Sequence, residues 1–346
     1  MSAFFQALPR PMLRAIVVWL ALPLAPVIAA TELHVYSARH YDADIALYDA
    51  FTAETGIKVR VLQGDSDQLI ARIRREGAAS PADILLTVDV GRLWRAEQAG
   101  VLAPVRSELL KARIPDHLRH PDGLWFGFST RARLIFYKPD VVDPATLDTY
   151  EALADPRHRG RICIRSSTNV YNQSLLASIL AAHGPEQALE WTRGLVANLA
   201  RPPQGGDTDQ LLGLAAGECD IAVANHYYYI RLVLSADPRE RAVAQSMAVM
   251  LPNQDDRGAH INIGGAGLVR SAPNIANAIR FLEFLASDTA QALFAAGNHE
   301  FPVVAGVAVD PALDWLQDIR TDSLKVSMLG EGNAEAVRIA DRAGWR

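Results

Sequence analysis

Three short segments place tyrosine directly after a run that reads as a β-strand. They are Arg39-His40-Tyr41 after Leu33–Tyr36, the stretch ending at Tyr171 after Arg161–Ile164, and Asn225-His226-Tyr227-Tyr228-Tyr229 after Cys219–Ala224. The chain holds nine tyrosines, so five in three such loops form a concentration that calls for a reason. A phenol with a pKa near 10 is a poor ligand for most ions, yet a hard trivalent cation favours the phenolate strongly enough to displace the proton. Ferric iron is such a cation. Several phenolates would neutralise most of its charge and so select it over ferrous iron, which accepts imidazole and carboxylate more evenly. His40 could add a neutral nitrogen donor beside Tyr41. Neighbouring residues in a regular strand point to opposite faces, so His40-Tyr41 and Tyr227-Tyr228 must sit at strand ends or first helical turns.

The elements that would position these loops alternate. Leu33–Tyr36 reads as a strand, Ile45, Leu47, Tyr48 and Phe51 mark a helix that stops at Gly56, and residues 57–61 are apolar at every second position, as a strand requires. Helices over 67–75 and 91–98 flank a buried strand at 83–88, and this order implies a parallel sheet. Leu124 to Tyr137 is a long, mostly apolar run able to cross between lobes. A second set follows, with a strand at 161–164, helices at about 171–182, 185–198 and 209–216, and a strand at 219–224. Residues 260–269 read as a return strand, followed by helices at 275–285 and 289–296. The expected architecture is two α/β lobes with two crossings and a central cleft, where open parallel sheets bind ligands. The lobes are expected at 31–132 plus about 257–307, and at 133–256 plus about 308–346.

Arg10 and Arg14 precede an apolar run, Ala15 to Ala30, that ends in small residues, the pattern of a cleaved export signal over residues 1–30. Pro23 and Pro26 interrupt it, and it falls short of the about 20 apolar residues a membrane span needs. Cleavage would remove two of the 34 basic residues and none of the 39 acidic ones, moving the net charge from −5 to −7. Such a balance argues against a nucleic-acid partner. The two cysteines, Cys163 and Cys219, either pair in an oxidising compartment or lie as small buried residues on neighbouring strands, and both readings stay open.

Plainer readings apply to several residues. Tyr36 lies inside a strand and packs, Tyr229 belongs to the core, and His226 is read as facing solvent. His117 and His120 are read as solvated. Read plainly, Arg131 makes an ordinary interlobe salt bridge and Asp207 caps the next helix. Gly264-Gly265-Ala266-Gly267 is read as tight backbone packing at a crossing, since no nucleotide-binding loop context surrounds it.

The segments Tyr36-Ser37-Ala38-Arg39-His40-Tyr41-Asp42, Arg165 to Ser174, Gly205-Gly206-Asp207-Thr208-Asp209-Gln210 and Ala224-Asn225-His226-Tyr227-Tyr228 together resemble the bacterial periplasmic ferric-ion-binding proteins, in order and over essentially the whole mature chain. The resemblance implies a two-lobed type II periplasmic-binding-protein fold, with Fe(III) carried in the cleft and delivered to an inner-membrane ABC permease by a monomer. It also implies Tyr171, Tyr227 and Tyr228 as ligands from the second lobe, and Tyr41 with His40 from the first. Against the plain readings above, it implies that Arg131 balances the phenolates or holds a carbonate and that Asp207 belongs to the site. The chain is most similar to the subgroup with a His-Tyr pair, in which the phenolates need no anion; a carbonate or water as an extra ligand stays open. Two other readings compete. One is a binding protein of the same fold for an organic solute such as a polyamine, whose cleft would present carboxylates and aromatic walls. The other is a secreted enzyme, which would need two histidines and a carboxylate for an iron oxygenase or a Gly-x-Ser-x-Gly elbow for a hydrolase. The sequence has neither pattern.

Overall fold

The computed structural model describes Met1 and residues 31–39 and 41–346. The export signal expected over residues 1–30 and the donor expected at His40 lie outside the described residues. Among the described residues ten strands run as β1 (Glu32–Ser37), β2 (Lys58–Gln63), β3 (Ile84–Val88), β4 (Leu102–Ala103), β5 (Phe126–Tyr137), β6 (Ile162–Cys163), β7 (Ile221–Asn225), β8 (Ala248–Met250), β9 (Ile261–Val269) and β10 (Phe301–Pro302). The α-helices are α1 (Ala43–Thr55), α2 (Ser66–Glu76), α3 (Val90–Gln98), α4 (Glu108–Arg113), α5 (Val170–Ala197), α6 (Asp207–Ala216), α7 (His226–Leu234), α8 (Pro238–Gln245), α9 (Ile275–Leu285), α10 (Asp288–Asn298), α11 (Val326–Glu331) and α12 (Asn333–Ala343). No helix among the described residues is long and apolar enough to cross a membrane.

The strands form one path in the order β2-β1-β3-β9-β5-β7-β6. β1 pairs parallel with β2 and β3, and β6 pairs parallel with β7, as the strand–helix alternation predicts. The crossing run and the return strand make the sheet mixed at its centre, where β9 runs antiparallel to β3 and to β5, and β5 runs antiparallel to β7. The reason is topological: these two strands return across the molecule, and returning strands meet their neighbours head to tail. β5 is the element on which the two-lobed fold turns. Its residues up to Ala132 pair with β9, and from Arg133 onward they pair with β7. All twelve of its residues are buried.

Local sequence explains the boundaries. Gly56 takes a left-handed φ of 74° and closes α1 through its N–H to the Thr52 carbonyl. Asp65 caps α2 through Asp67 and Gln68. The two helices expected on either side of residue 184 are two helical stretches of α5 meeting at a kink, where Gly184 has φ 80° and Pro185 follows. The glycine run in β9 packs as expected. A Cβ at Gly265 would lie 2.6 Å from the Phe126 carbonyl oxygen, and one at Gly267 2.5 Å from that of Leu124. Cys163 and Cys219 form a disulfide, with Cα atoms 5.8 Å apart, which decides between the two open readings.

One hydrophobic core runs continuously past β5 on both sides. Phe51 packs edge-on against Phe281 at 5.0 Å between ring centres. On the other side the buried Tyr150 donates its hydroxyl to the Arg133 carbonyl at 2.5 Å and accepts from the His260 N–H at 3.0 Å, tying β5 to the approach of β9.

Candidate metal centre

The tyrosine loops converge because each follows a strand of the shared sheet and opens a helix. Tyr41 stands just before α1, Tyr171 is the second residue of α5, and Tyr227 and Tyr228 are the second and third of α7. Asn169 caps α5 by accepting the Tyr171 N–H at 3.0 Å. Three helix N-termini therefore surround the rings, and their partial positive charge favours anions there by about 0.3–1 kcal/mol each. The sequence condition for convergence, strand ends or first helical turns, is met at Tyr41 and at Tyr227-Tyr228.

Tyr227 is fully buried, and its hydroxyl donates to that of Tyr171 at 3.4 Å. Its ring lies 4.4 Å from that of Tyr228 and meets Tyr41 edge-on at 6.5 Å. Val88 and Val170 pack among Tyr41, Tyr171 and Tyr228 and give the cluster a dry wall. A cavity of ≈ 270 Å³ opens beside it, lined by Tyr41, Tyr171 and Tyr228 and by the polar side chains of Ser66, Arg92, Arg165 and Asn169. The larger ≈ 510 Å³ surface hollow near Arg74 and Arg270 is lined by no tyrosine.

Cations ring the phenols. The Arg39 guanidinium lies 4.8 Å from the Tyr41 ring centre, Arg131 and Arg165 lie 5.5 and 5.6 Å from that of Tyr171, and Arg231 lies 5.1–5.5 Å from those of Tyr41, Tyr227 and Tyr228. Burial nevertheless dominates, and it pushes the pKa of all four tyrosines upward against the pull of these arginines. In the metal-free protein the phenols are neutral. Only a partner that repays deprotonation of several buried phenols can turn them into ligands, and a small, highly charged cation does so. Among the described residues no group of three or more His, Cys, Asp or Glu side chains is placed to hold a metal ion.

Arg131 stands beside the phenols, and its ion pair with Glu300 lies within the expected first lobe rather than between lobes. It is buried with its Nη1 3.6 Å from the Glu300 carboxylate, and none of its three side-chain nitrogens makes a hydrogen bond among the described residues. Burial works against its charge, but the Tyr171 and Tyr227 phenolates, where they form, and the Glu300 carboxylate raise its pKa above the ordinary guanidinium value. Asp207 does not cap α6. Gly206 is the cap, satisfied by Asp209, while the buried Asp207 carboxylate accepts from Arg133 at 3.0 Å and from the Asn225 N–H at 2.9 Å.

His226 is corrected outright, since it is buried rather than solvent-facing. Its Nε2 bonds the His299 carbonyl at 2.7 Å and its Nδ1 accepts from the Ala132 N–H at 3.1 Å, so a neutral ring with the proton on Nε2 satisfies both. Burial brings its pKa down to about 4, in keeping with that neutral form. The imidazole fixes the first turn of α7, and hence Tyr227, to the changeover point of β5. His117 and His120 are half-buried rather than solvated, and His120 packs against Trp125. Tyr36 and Tyr229 pack as expected, Tyr229 against Phe136 and Trp315.

The fold and site define an extracytoplasmic solute-binding protein with a phenol-lined cleft. Residues 46–319 match the family model described as bacterial extracellular solute-binding protein, and the chain belongs to that family. More particularly, it is 50% identical over 315 residues to iron uptake protein A1 of Synechocystis, covering 91% of this chain and 88% of that one. The solved structure of the Trichodesmium protein IdiA (FutA) in complex with iron and citrate superposes with a TM-score of 0.88 at 51% identity, covering 91% of this chain and all of that one. A ferric binding protein from Campylobacter jejuni gives 0.86 at 40% identity, over 91% of this chain and all of that chain.

Proposed function

We propose that the protein captures ferric iron in the periplasm and hands it to an inner-membrane ABC permease, with Tyr41, Tyr171, Tyr227 and Tyr228 as oxygen ligands and His40 as a nitrogen donor. The observation that carries this reading is the meeting of four tyrosine side chains from three separate segments within a ring of arginines. The protein is a binding protein and not an enzyme, as its family is one of solute-binding proteins. The relatives named for iron uptake and ferric binding support iron as the cargo. The lobes are proposed at 31–132 plus about 257–307 and 133–256 plus about 308–346. The change of partner along β5 between Ala132 and Arg133 supports that division, as does the packing of α12 on α5.

In the proposed cycle Tyr171, Tyr227 and Tyr228 take the ion first, and closure then adds Tyr41 and His40. A carbonate or a water completes the shell from the cavity, whose wall Arg92 and Arg165 line. Acid assists release by returning protons to the phenolates, and reduction does so because Fe(II) suits them less.

The test is the visible spectrum of purified, metal-stripped protein on adding chelated ferric iron. A phenolate-to-iron charge-transfer band is expected. It should weaken in Tyr227→Phe and be absent with Fe(II) under anaerobic conditions. A colourless protein would favour the organic-solute reading instead.

A further inference from the structure

The β3–α3 turn carries a residue that the cluster of phenols does not account for. Asp89 has φ 76° and ψ 128°, a backbone conformation that a non-glycine residue holds only when its surroundings impose it. It is fully buried. Its Oδ1 accepts from the Gly91 N–H at 2.9 Å, which caps α3, and from the Ser174 hydroxyl at 2.7 Å. Its Oδ2 accepts from the Asn262 side-chain amide at 2.9 Å, while its own N–H bonds the Ile263 carbonyl of β9 at 2.8 Å. Asn262 in turn accepts the Val90 N–H at 2.9 Å.

One carboxylate thus joins three elements: the start of α3, the crossing strand β9, and the first turns of α5. Ser174 lies three residues beyond Tyr171, on the same side of the same helix. The contact is close along its length. A Cβ at Gly91 would stand 3.3 Å from the Val170 side chain, and Arg95 reaches Gln173 at 2.7 Å. Val88, immediately before Asp89, packs on Tyr171 itself.

We infer that Asp89 is a positioning residue for the phenol cluster, a latch that sets the helix carrying Tyr171 against the β3–α3 turn through its bond to Ser174. This rests on the ferric-iron reading for the identity of the cargo, while the latch itself rests on the geometry. Strain in the turn is held by bonds to two other elements, so the turn, the crossing strand and the Tyr171 helix keep one arrangement together. Removing the Ser174 bond frees the helix from that arrangement without disturbing the ring chemistry.

Ser174→Ala is the discriminating variant. Alanine is the better helix former, and Asp89 keeps its Gly91 and Asn262 donors, so the melting temperature should stay within a few degrees of the parent. Iron release to a competing chelator should become about tenfold faster with the charge-transfer maximum unmoved. The metal-free variant should show a larger radius of gyration by small-angle scattering. Asp89→Ala, which removes the Ser174 bond together with those to Gly91 and Asn262, should release at least as fast as Ser174→Ala, and adding Ser174→Ala to it should change the rate little, because the bond to Ser174 is already gone. A release rate within twofold of the parent, with an unchanged radius of gyration, would overturn the latch. A parent that takes no colour sinks the iron reading instead, and the scattering comparison then decides the latch by itself.

Discussion

At the scale of single residues, the site works by contrast between burial and charge. Four phenols are held neutral by desolvation while arginines stand within 4.8–5.6 Å of their rings. Iron uptake should release protons in proportion to the phenolates formed, so a pH-stat titration with ferric chelate should record several per ion for the parent and about one fewer for Tyr171→Phe. His260 makes a separate prediction. Burial, then the neighbouring Arg133, Arg257 and Arg131, depress its pKa to about 3. A histidine whose folded pKa lies below its unfolded value near 6.5 contributes fully above that value, and its contribution declines as pH falls from there towards 3. The slope is at most about 1.4 kcal/mol per pH unit. Denaturant midpoints between pH 7 and 5 should therefore fall less steeply for His260→Asn than for the parent. The tyrosines were legible in the sequence because they are few and sit at strand ends. His226 and Asp89 were not, because their partners Ala132 and Ser174 lie 94 and 85 residues away, and no local pattern marks them.

At the scale of elements, β5 presents Ser129, Arg131 and Arg133 on one face at the period of a strand, and the three meet two buried carboxylates. Ser129 and Arg131 face Glu300, and Arg133 faces Asp207 with Asn172 at 2.7 Å. Breaking a buried pair from one side leaves an uncompensated charge, at a cost of about 3–5 kcal/mol. Asp207→Ala should lose that much stability in a urea titration, and a loss below about 1 kcal/mol would mean that solvent reaches Arg133. Strand and helix positions were readable from apolar periodicity. The antiparallel course of β9 and β5 was not, since periodicity reports which face is buried but not which neighbour a strand has.

At the scale of the molecule, the disulfide staples the half that carries Tyr171, Tyr227 and Tyr228. It closes a loop across a sequence separation of 56 residues, for which chain-entropy arguments give about 4 kcal/mol. Cys163→Ser should lower the denaturant midpoint accordingly while leaving the charge-transfer band of the folded protein in place, because neither cysteine approaches the rings. The two-lobed form was readable from chain length and the repeated strand–helix sets. The closing of its seam by Tyr150, His226 and Asp89 depends on contacts that only the folded chain brings together.

The continuity of β5 bears on how the chain can come apart. A strand that pairs with β9 at six of its first seven residues and with β7 at its last five joins the two sides through buried backbone rather than through an exposed linker. Digestion should therefore be all or none: under a protease pulse at rising urea, full-length protein gives way to small fragments with no lobe-sized band between them. On the proposed division, inheritance is under the same constraint, because a lobe assembled from two separate stretches of chain cannot be exchanged by a single crossover and must diverge in place with its neighbour.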